Sequence, residues 1–208
     1  MRSYENPGPI AVVKVGGSLL GWPWLPDRLE TFLNGEESRG WRLVLIVGGG
    51  PAADLVRRLD AAHELGDETA HRLALRALDF TAEFLAGLLP GSRVARRMDE
   101  VHSLLDNGLR PILAPRIHLE EADERRPDRL PFSWDVTTDS IAARIAEALG
   151  AARLILLKSV SPTEEVSLGE AARAGLVDAF FPEAARGLER VEIVNLRDRP
   201  AKSRRLVK

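Results

Sequence analysis

The sequence predicts an α/β architecture in which a largely parallel sheet is covered by helices on both faces. Two observations lead there. Short runs of aliphatic and β-branched residues, apolar at nearly every position, mark strands buried on both sides. Between them stand longer segments whose apolar residues recur three or four apart, and parallel neighbours need crossovers of that kind. Ligands of such sheets bind beyond the carboxyl ends of the strands, so the residues that close each run matter most.

Residues 10–15 form the first run and close on Gly16-Gly17; residues 42–47 form the second and close on Gly48-Gly49-Gly50. Pro51 then occupies a first helical position, with Leu55, Leu59 and Ala62 following at helical spacing. Leu73, Ala77, Phe80, Phe84 and Leu88 give residues 68–89 the period of a long amphipathic helix, which Pro90-Gly91 ends. A shorter helix over 98–105 stops at Asn107-Gly108, and 111–114 is a strand. Residues 120–129 read as a highly charged, solvated connector. A helix over 138–150 closed by glycine, a strand over 153–158, a helix over 168–174 and a last strand over 190–195 complete the alternation. The strand ends after Val15, Val47 and Leu157 should face one crevice.

The 208 residues fit a single domain, at the usual ~100–200 residues each. A composition that is 45% hydrophobic and 29% charged is that of a folded, water-soluble chain. The net charge of -2 leaves no broad cationic surface for nucleic acid, so any anion site must be local. The absence of cysteine excludes disulfides, thiolate metal sites and a cysteine nucleophile. The polar start, with Pro7 and Pro9, lacks the apolar centre of a secretion signal, and the strongest apolar runs fall far short of the ~20 residues that span a bilayer. A cytoplasmic protein with neither membrane nor nucleic acid as partner is expected.

Lys14-Val15-Gly16-Gly17-Ser18 reads in two ways: as a phosphate cradle, where missing side chains let backbone N–H groups approach a ligand, or as a tight turn with an exposed lysine. Gly48-Gly49-Gly50 likewise is either an ordinary turn or an anion site at a helix N-terminus. Neither loop has the spacing of a P-loop or a dinucleotide fingerprint. His63, His71, His102 and His118 lack zinc-helix spacing, so no metal ligand is assigned. Asp135 and Asp139 stand before and within the first turn of an alanine-rich helix, as caps or as functional carboxylates. Lys158 arrives at the same sheet edge as Lys14, and two ammonium groups there repel unless an anion or a carboxylate lies between them.

Val13-Lys14-Val15-Gly16-Gly17-Ser18, Val47-Gly48-Gly49-Gly50 and Thr138-Asp139-Ser140-Ile141-Ala142-Ala143 resemble the three signature segments of the amino acid kinase family, across residues 10–160. The resemblance implies a three-layer α/β sandwich of the carbamate kinase-like type and an ATP- and Mg2+-dependent phosphotransferase. By motif match Lys14, Asp139 and Lys158 would be catalytic, Asp139 ordering the two ammonium groups rather than acting as a base. Gly16, Gly17, Ser18, Lys158 and Ser159 would hold the nucleotide phosphates. Gly48, Gly49 and Gly50 would form the acceptor side. The segments 48–74, 133–139 and 156–160 look like the branch containing aminomethylfuran phosphate kinases, which act on a phosphate monoester; Arg57, His71, Asp135 and Thr137 would then bind a phosphorylated small molecule, with Arg58 and Arg72 nearby.

One departure stands out. Where family members carry an Asp-Gly turn and a further nucleotide-binding segment, this chain has Ser161-Pro162 and a short divergent tail, which implies a shortened nucleotide-binding part. Arg197, Arg199, Lys202, Arg204, Arg205 and Lys208 read as a solvated tail. Uridylate, isopentenyl phosphate and amino acid carboxylates are alternative acceptors, and a binding or storage subunit without turnover is the alternative class. The resemblance also implies a homodimer or higher homo-oligomer.

Overall fold

The structure, a computed structural model, describes residues 8–162 and 164–208. Most of the polar start read for a secretion signal lies outside the described residues. Strands β1 (Ile10–Val15), β2 (Arg42–Val47), β3 (Ser92–Ala95), β4 (Arg110–Leu113), β5 (Arg153–Lys158), β6 (Val166–Ser167), β7 (Val191–Asn195) and β8 (Ser203–Val207) join in one sheet of order β3-β4-β2-β1-β5-β7-β8-β6. Every pairing is parallel except β7 with β8.

Crossovers cover both faces. Helices α1 (Leu25–Glu37), α2 (Gly50–His63), α3 (Asp67–Leu88), α4 (Met98–Asp106), α5 (Arg116–Glu121), α6 (Thr138–Ala148), α7 (Leu168–Arg173) and α8 (Phe181–Ala184) supply them. Strand alternation divides the core in two. Val12, Val44, Ile46, Leu154, Leu156 and Ile193 pack with Ile141, Ala142 and Ile145 of α6; Val13, Val15, Leu45, Ile155 and Leu157 pack with Leu25, Leu29 and Leu33 of α1. Helix, sheet and helix thus form the three layers expected.

The expected elements stand within about two residues of their predicted ends, β3, α5, β6 and α8 were not foreseen, and four further regions differ. Residues 20–41, left unassigned by the sequence reading, hold α1, whose Leu25, Leu29 and Leu33 make a single buried stripe. In α3 the buried positions are Ala70, Leu75, Ala77, Leu78, Thr81, Ala82 and Leu85. Phe80 and Phe84 are 64% and 41% exposed. The helix is apolar on more than one side, so period alone could not choose its inner face; small Ala and Thr lie inward where a helix must approach neighbours closely. The charged stretch 120–129 is no plain solvated loop, because buried Asp123 accepts from Leu130 N at 2.9 Å and pairs with buried Arg144 at 3.0 Å. The basic tail is ordered as β8: Arg204 faces Ile193 and Arg205 faces Glu192 across an antiparallel ladder that needs only backbone groups.

Candidate active site

Lys14 and Lys158 follow the alternation that sends Val12, Leu154 and Leu156 toward α6, so both side chains leave the sheet on that face. The strand pairing Lys14↔Leu156 sets Lys158 one side-chain step beyond Lys14 at the carboxyl edge. Asp139, in the first turn of α6, meets both. Its Oδ1 lies 2.8 Å from Lys14 Nζ and its Oδ2 2.5 Å from Lys158 Nζ. Lys14 is 5% exposed and Asp139 3%, which corrects the reading of Lys14 as an exposed strand-end side chain.

Burial on its own would raise the Asp139 pKa, but the ammonium charges of Lys14 and then Lys158, with their hydrogen bonds, hold it below the ordinary carboxylate range. Lys158 is depressed, first by burial and then by Lys14, with Asp139 and Asp178 opposing. One carboxylate between two cations leaves a local excess of positive charge and unused ammonium donors. Such an arrangement suits an anion.

The glycine loops close over each other beside this cluster. A Cβ on Gly17 would stand 2.4 Å from Gly50 N, one on Gly48 2.5 Å from Gly17 N, and one on Gly50 2.7 Å from Gly17 O. Gly50 also has φ +47°, so the contact of loop on loop, backbone against backbone, requires glycine. Gly49 is held as tightly, since a Cβ there would meet Ala53 Cβ at 2.5 Å. Gly16 N–H is donated to Leu157 O at 2.8 Å, which removes it from the amides that the resemblance assigns to phosphate. The Ser18 and Ser159 hydroxyls lie 3.3 Å apart, joining the first loop to the end of β5.

A cavity opens beside the start of α2, walled by α3 and residues 133–138, with Leu75, Leu78, Val136 and Ile141 as its apolar lining. Arg57 and His71 both line it. The Arg57 guanidinium lies 4.6 Å from the Trp134 ring centroid, and Trp134 Nε1 donates to Asp60 at 2.8 Å. His71 stacks on Phe132 at 4.5 Å; burial, then the Arg72 charge, lowers its pKa from 6.5, so the ring is neutral at pH 7.

Other expected acceptor residues sit differently. Arg72 is occupied by Glu68, Glu120 and Glu124 at 3.0, 3.8 and 3.4 Å, and Arg58 is exposed and away from the cavity wall. The Asp135 side chain is exposed, while its backbone carbonyl accepts from Phe180 N at 3.4 Å. Thr137 lines the cavity, yet its hydroxyl is committed: it donates to Asp178 at 2.8 Å and accepts from Asp139 N at 3.4 Å. Asp178 was missed by sequence reasoning, because its partners lie 38 and 41 residues away and nothing local marks it. Trp134 could have been found, as an aromatic just ahead of a functional helix start.

These residues fit the phosphates of a nucleotide: two ammonium groups, backbone loops without side chains, and hydroxyls at the rim. They do not fit a protein-held Mg2+. Both Asp139 oxygens are taken, and among the described residues no group of three His, Asp or Glu side chains could hold a metal ion. No helix among them is long and apolar enough to cross a membrane.

The amino acid kinase family model matches residues 9–162. The chain is 26% identical over 149 residues to the (5-(aminomethyl)furan-3-yl)methyl phosphate kinase of Methanocaldococcus jannaschii, covering 72% of this chain and 65% of that one. It is 30% identical over 160 residues to a uridylate kinase of Hyperthermus butylicus, covering 74% and 62%. The chain therefore spans just under two thirds of the length of the curated relatives it matches. The crystal structure of UMP kinase from Ureaplasma parvum superposes with a TM-score of 0.69 at 14% identity over 97% of each chain, a likeness of fold. A match that runs from the first strand to the loop beyond the fifth, on a fold shared from end to end with a solved structure, makes this chain a member of the amino acid kinase family.

Proposed function

We propose that the protein is an ATP-dependent phosphotransferase that acts on a small, phosphorylated acceptor. The observation that carries this reading is Asp139 held between Lys14 and Lys158 at the edge where both glycine loops meet. Phosphoryl transfer asks mainly for positioning and neutralisation of charge on the moving group. Lys14 and Lys158 supply fixed cations whose separation Asp139 sets, so no reorganisation is needed as charge shifts from donor to acceptor. An acceptor phosphate is ionised at neutral pH, and a carboxylate held below its ordinary pKa is a weak base; the site therefore works without one. Nucleotide-borne Mg2+ would supply further neutralisation of phosphate charge.

The cavity beside α2 suits the acceptor. Its apolar lining takes an organic group, exposed Arg57, 3.3 Å from exposed Asp54, keeps further guanidinium donors for an anion, and neutral His71 can donate or accept. Asp67 in the cavity wall offers a partner to the ammonium of aminomethylfuran phosphate and the apolar lining a place for its ring, which supports that acceptor over uridylate; isopentenyl phosphate, which needs the apolar lining alone, is the next alternative. Protein incubated with MgATP and each acceptor, read by release of ADP and phosphorus NMR of the product, tests this. Formation of a diphosphate from one acceptor supports it. Tight ATP binding with no product from any phosphorylated acceptor would instead favour a nucleotide-binding subunit without turnover.

The same reading puts the protein in the cytoplasm and treats the described residues as one kinase-type domain. It also makes it a homodimer or larger homo-oligomer, and the exposed Phe80 and Phe84 of α3 support that assembly.

A further inference from the structure

Asp178 lies between α7 and α8, and its carboxylate is aimed at the first turn of α6. Oδ2 accepts from Thr137 N at 3.0 Å, from the Thr137 hydroxyl at 2.8 Å and from Ser140 N at 3.0 Å; Oδ1 accepts from the Ser140 hydroxyl at 2.5 Å. Four donors on one side chain, two of them backbone N–H groups of a helix start, fix that turn in place. The segment holding Asp178 is itself anchored. Phe181 is fully buried, its N–H returns to Asp178 O at 3.1 Å, and Phe180 N donates to Asp135 O.

Two consequences converge on residues 137–140. Thr137 is part of the cavity wall, so Asp178 sets the position of that wall. Because the Thr137 hydroxyl donates to Asp178, its oxygen is turned to accept from Asp139 N, and the residue that bridges the lysines inherits its placement. We propose that Asp178 is a positioning residue that ties the acceptor cavity to the Lys14–Asp139–Lys158 bridge, so that the two are set by a single clamp. This assignment rests on the phosphotransferase reading above.

Two variants separate geometry from charge. Asp178→Asn can place its carbonyl oxygen where Oδ2 stands and keep three of the four bonds, while losing the negative charge that reaches Lys158. Asp178→Ala loses all four. Assayed with MgATP and acceptor well below the unfolding temperature, Asp178→Ala should lower kcat ~10–100-fold and raise acceptor KM, the scale of a small misplacement of reacting groups. Asp178→Asn should stay within about threefold of wild type. Wild-type kcat and KM in a less stable Asp178→Ala would reduce Asp178 to a helix cap and overturn the proposal; equal loss in both variants would make its role electrostatic and overturn it too.

A readout free of turnover runs beside these. Acylation of Lys14 and Lys158 by an amine-reactive ester, mapped by peptide mass spectrometry, should be slow in wild type and Asp178→Asn and several-fold faster in Asp178→Ala. Equal rates in all three would overturn the clamp even if the kinase reading stood. If wild type turns over no acceptor, the kinase reading fails while the labelling still decides the clamp. Ser140→Ala, which removes only the Oδ1 contact, replaces Asp178→Ala should that variant not fold: faster labelling of Lys158 supports the clamp and unchanged labelling overturns it.

Discussion

Two buried charge clusters sit at opposite ends of the same sheet, and they are built with opposite signs. At the carboxyl end one carboxylate, Asp139, stands between Lys14 and Lys158. At the amino end one guanidinium, Arg153, stands between Glu36 and Glu192, at 2.5 Å from the first and with Nε and Nη2 at 3.0 and 2.6 Å from the second. The amino-end cluster is closed. Arg39 covers the other Glu36 oxygen, and Arg190 and the Ser203 hydroxyl each add a donor to a Glu192 oxygen that Arg153 already holds. The carboxyl-end cluster is open: each ammonium has three donors, Lys158 gives one to Asp139 Oδ2, and Lys14 meets Oδ1 as an ion pair. On the proposed function similar burial serves structure at one end and ligand binding at the other, and the difference lies in unused donors rather than in charge count.

Removing the central or flanking cation at each end should break the two clusters in different currencies. Lys14→Ala leaves Lys158 to neutralise Asp139, so the fold should survive while transfer falls ~100-fold or more, the usual scale for losing an electrostatic clamp. Folded Lys14→Ala with near-wild-type kcat would remove Lys14 from the mechanism. Arg153→Ala leaves Glu36 and Glu192 buried without their shared partner and should cost roughly 3–5 kcal/mol of stability. Its kcat per folded molecule should hold, because Arg153 lies at the far end of β5. Denaturant unfolding beside kinetics on both variants checks the contrast, and a matched loss of kcat in Arg153→Ala would erase it.

Acid sharpens the same comparison. Burial would raise Glu192, but its bonds to Arg153 and Ser203 hold it low, as the lysines hold Asp139. Both folded values lie below the unfolded ones, ~3.9 for Asp and ~4.3 for Glu. Each group thus contributes stability that is complete above its unfolded pKa and lost as pH falls through the folded one. Asp139→Asn should flatten the decline of the melting temperature below about pH 4, with no new limb near neutrality in the rate profile. A steep wild-type-like decline in that variant would show that Asp139 is not held down by the lysines.

How much of this was legible follows from what each feature depends on. The strands and their glycine ends were readable because burial on both faces leaves an unbroken apolar run, and Lys14 and Lys158 because each closes such a run. Repulsion between them called for an anion or a carboxylate, and the motif resemblance pointed to Asp139. Asp178 was hidden since its role comes from a contact across 41 residues, and β8 because ladder pairing leaves no mark on basic side chains. Thr137, expected to bind the acceptor, lines the cavity but its hydroxyl faces Asp178, a choice that sequence spacing does not encode. Gly16, expected to offer its amide to phosphate, likewise turns its N–H to Leu157.

The cavity gives a smaller effect on a different axis. Arg57→Ala removes the guanidinium at the mouth while leaving the bridge of Lys14, Asp139 and Lys158 intact, so acceptor KM should rise ~10-fold with kcat within about threefold. A fall in kcat at constant KM would place Arg57 on the moving phosphate instead, and the separation between acceptor recognition and charge neutralisation would fail.

The smallest effect on chemistry belongs to the outer face of α3. Phe80 is 64% exposed and Phe84 41%, one turn apart beside the exposed positively charged Arg76 and negatively charged Glu83. A second copy of the helix laid antiparallel about a two-fold through Phe80 would bring each Arg76 near the partner's Glu83 and bury both aromatic rings, a self-complementary arrangement of the kind that two-fold interfaces need. Phe80→Ser removes the ring at the axis and touches neither the cavity nor the lysine cluster. Sedimentation velocity should then show a dimer for wild type and a monomer for the variant at equal concentration, with kcat unchanged within about twofold. An unchanged sedimentation coefficient, whether both proteins are monomers or both are dimers, would mean that this face is not the interface and that the exposed rings on α3 are no counterpart to the open cluster at the sheet edge.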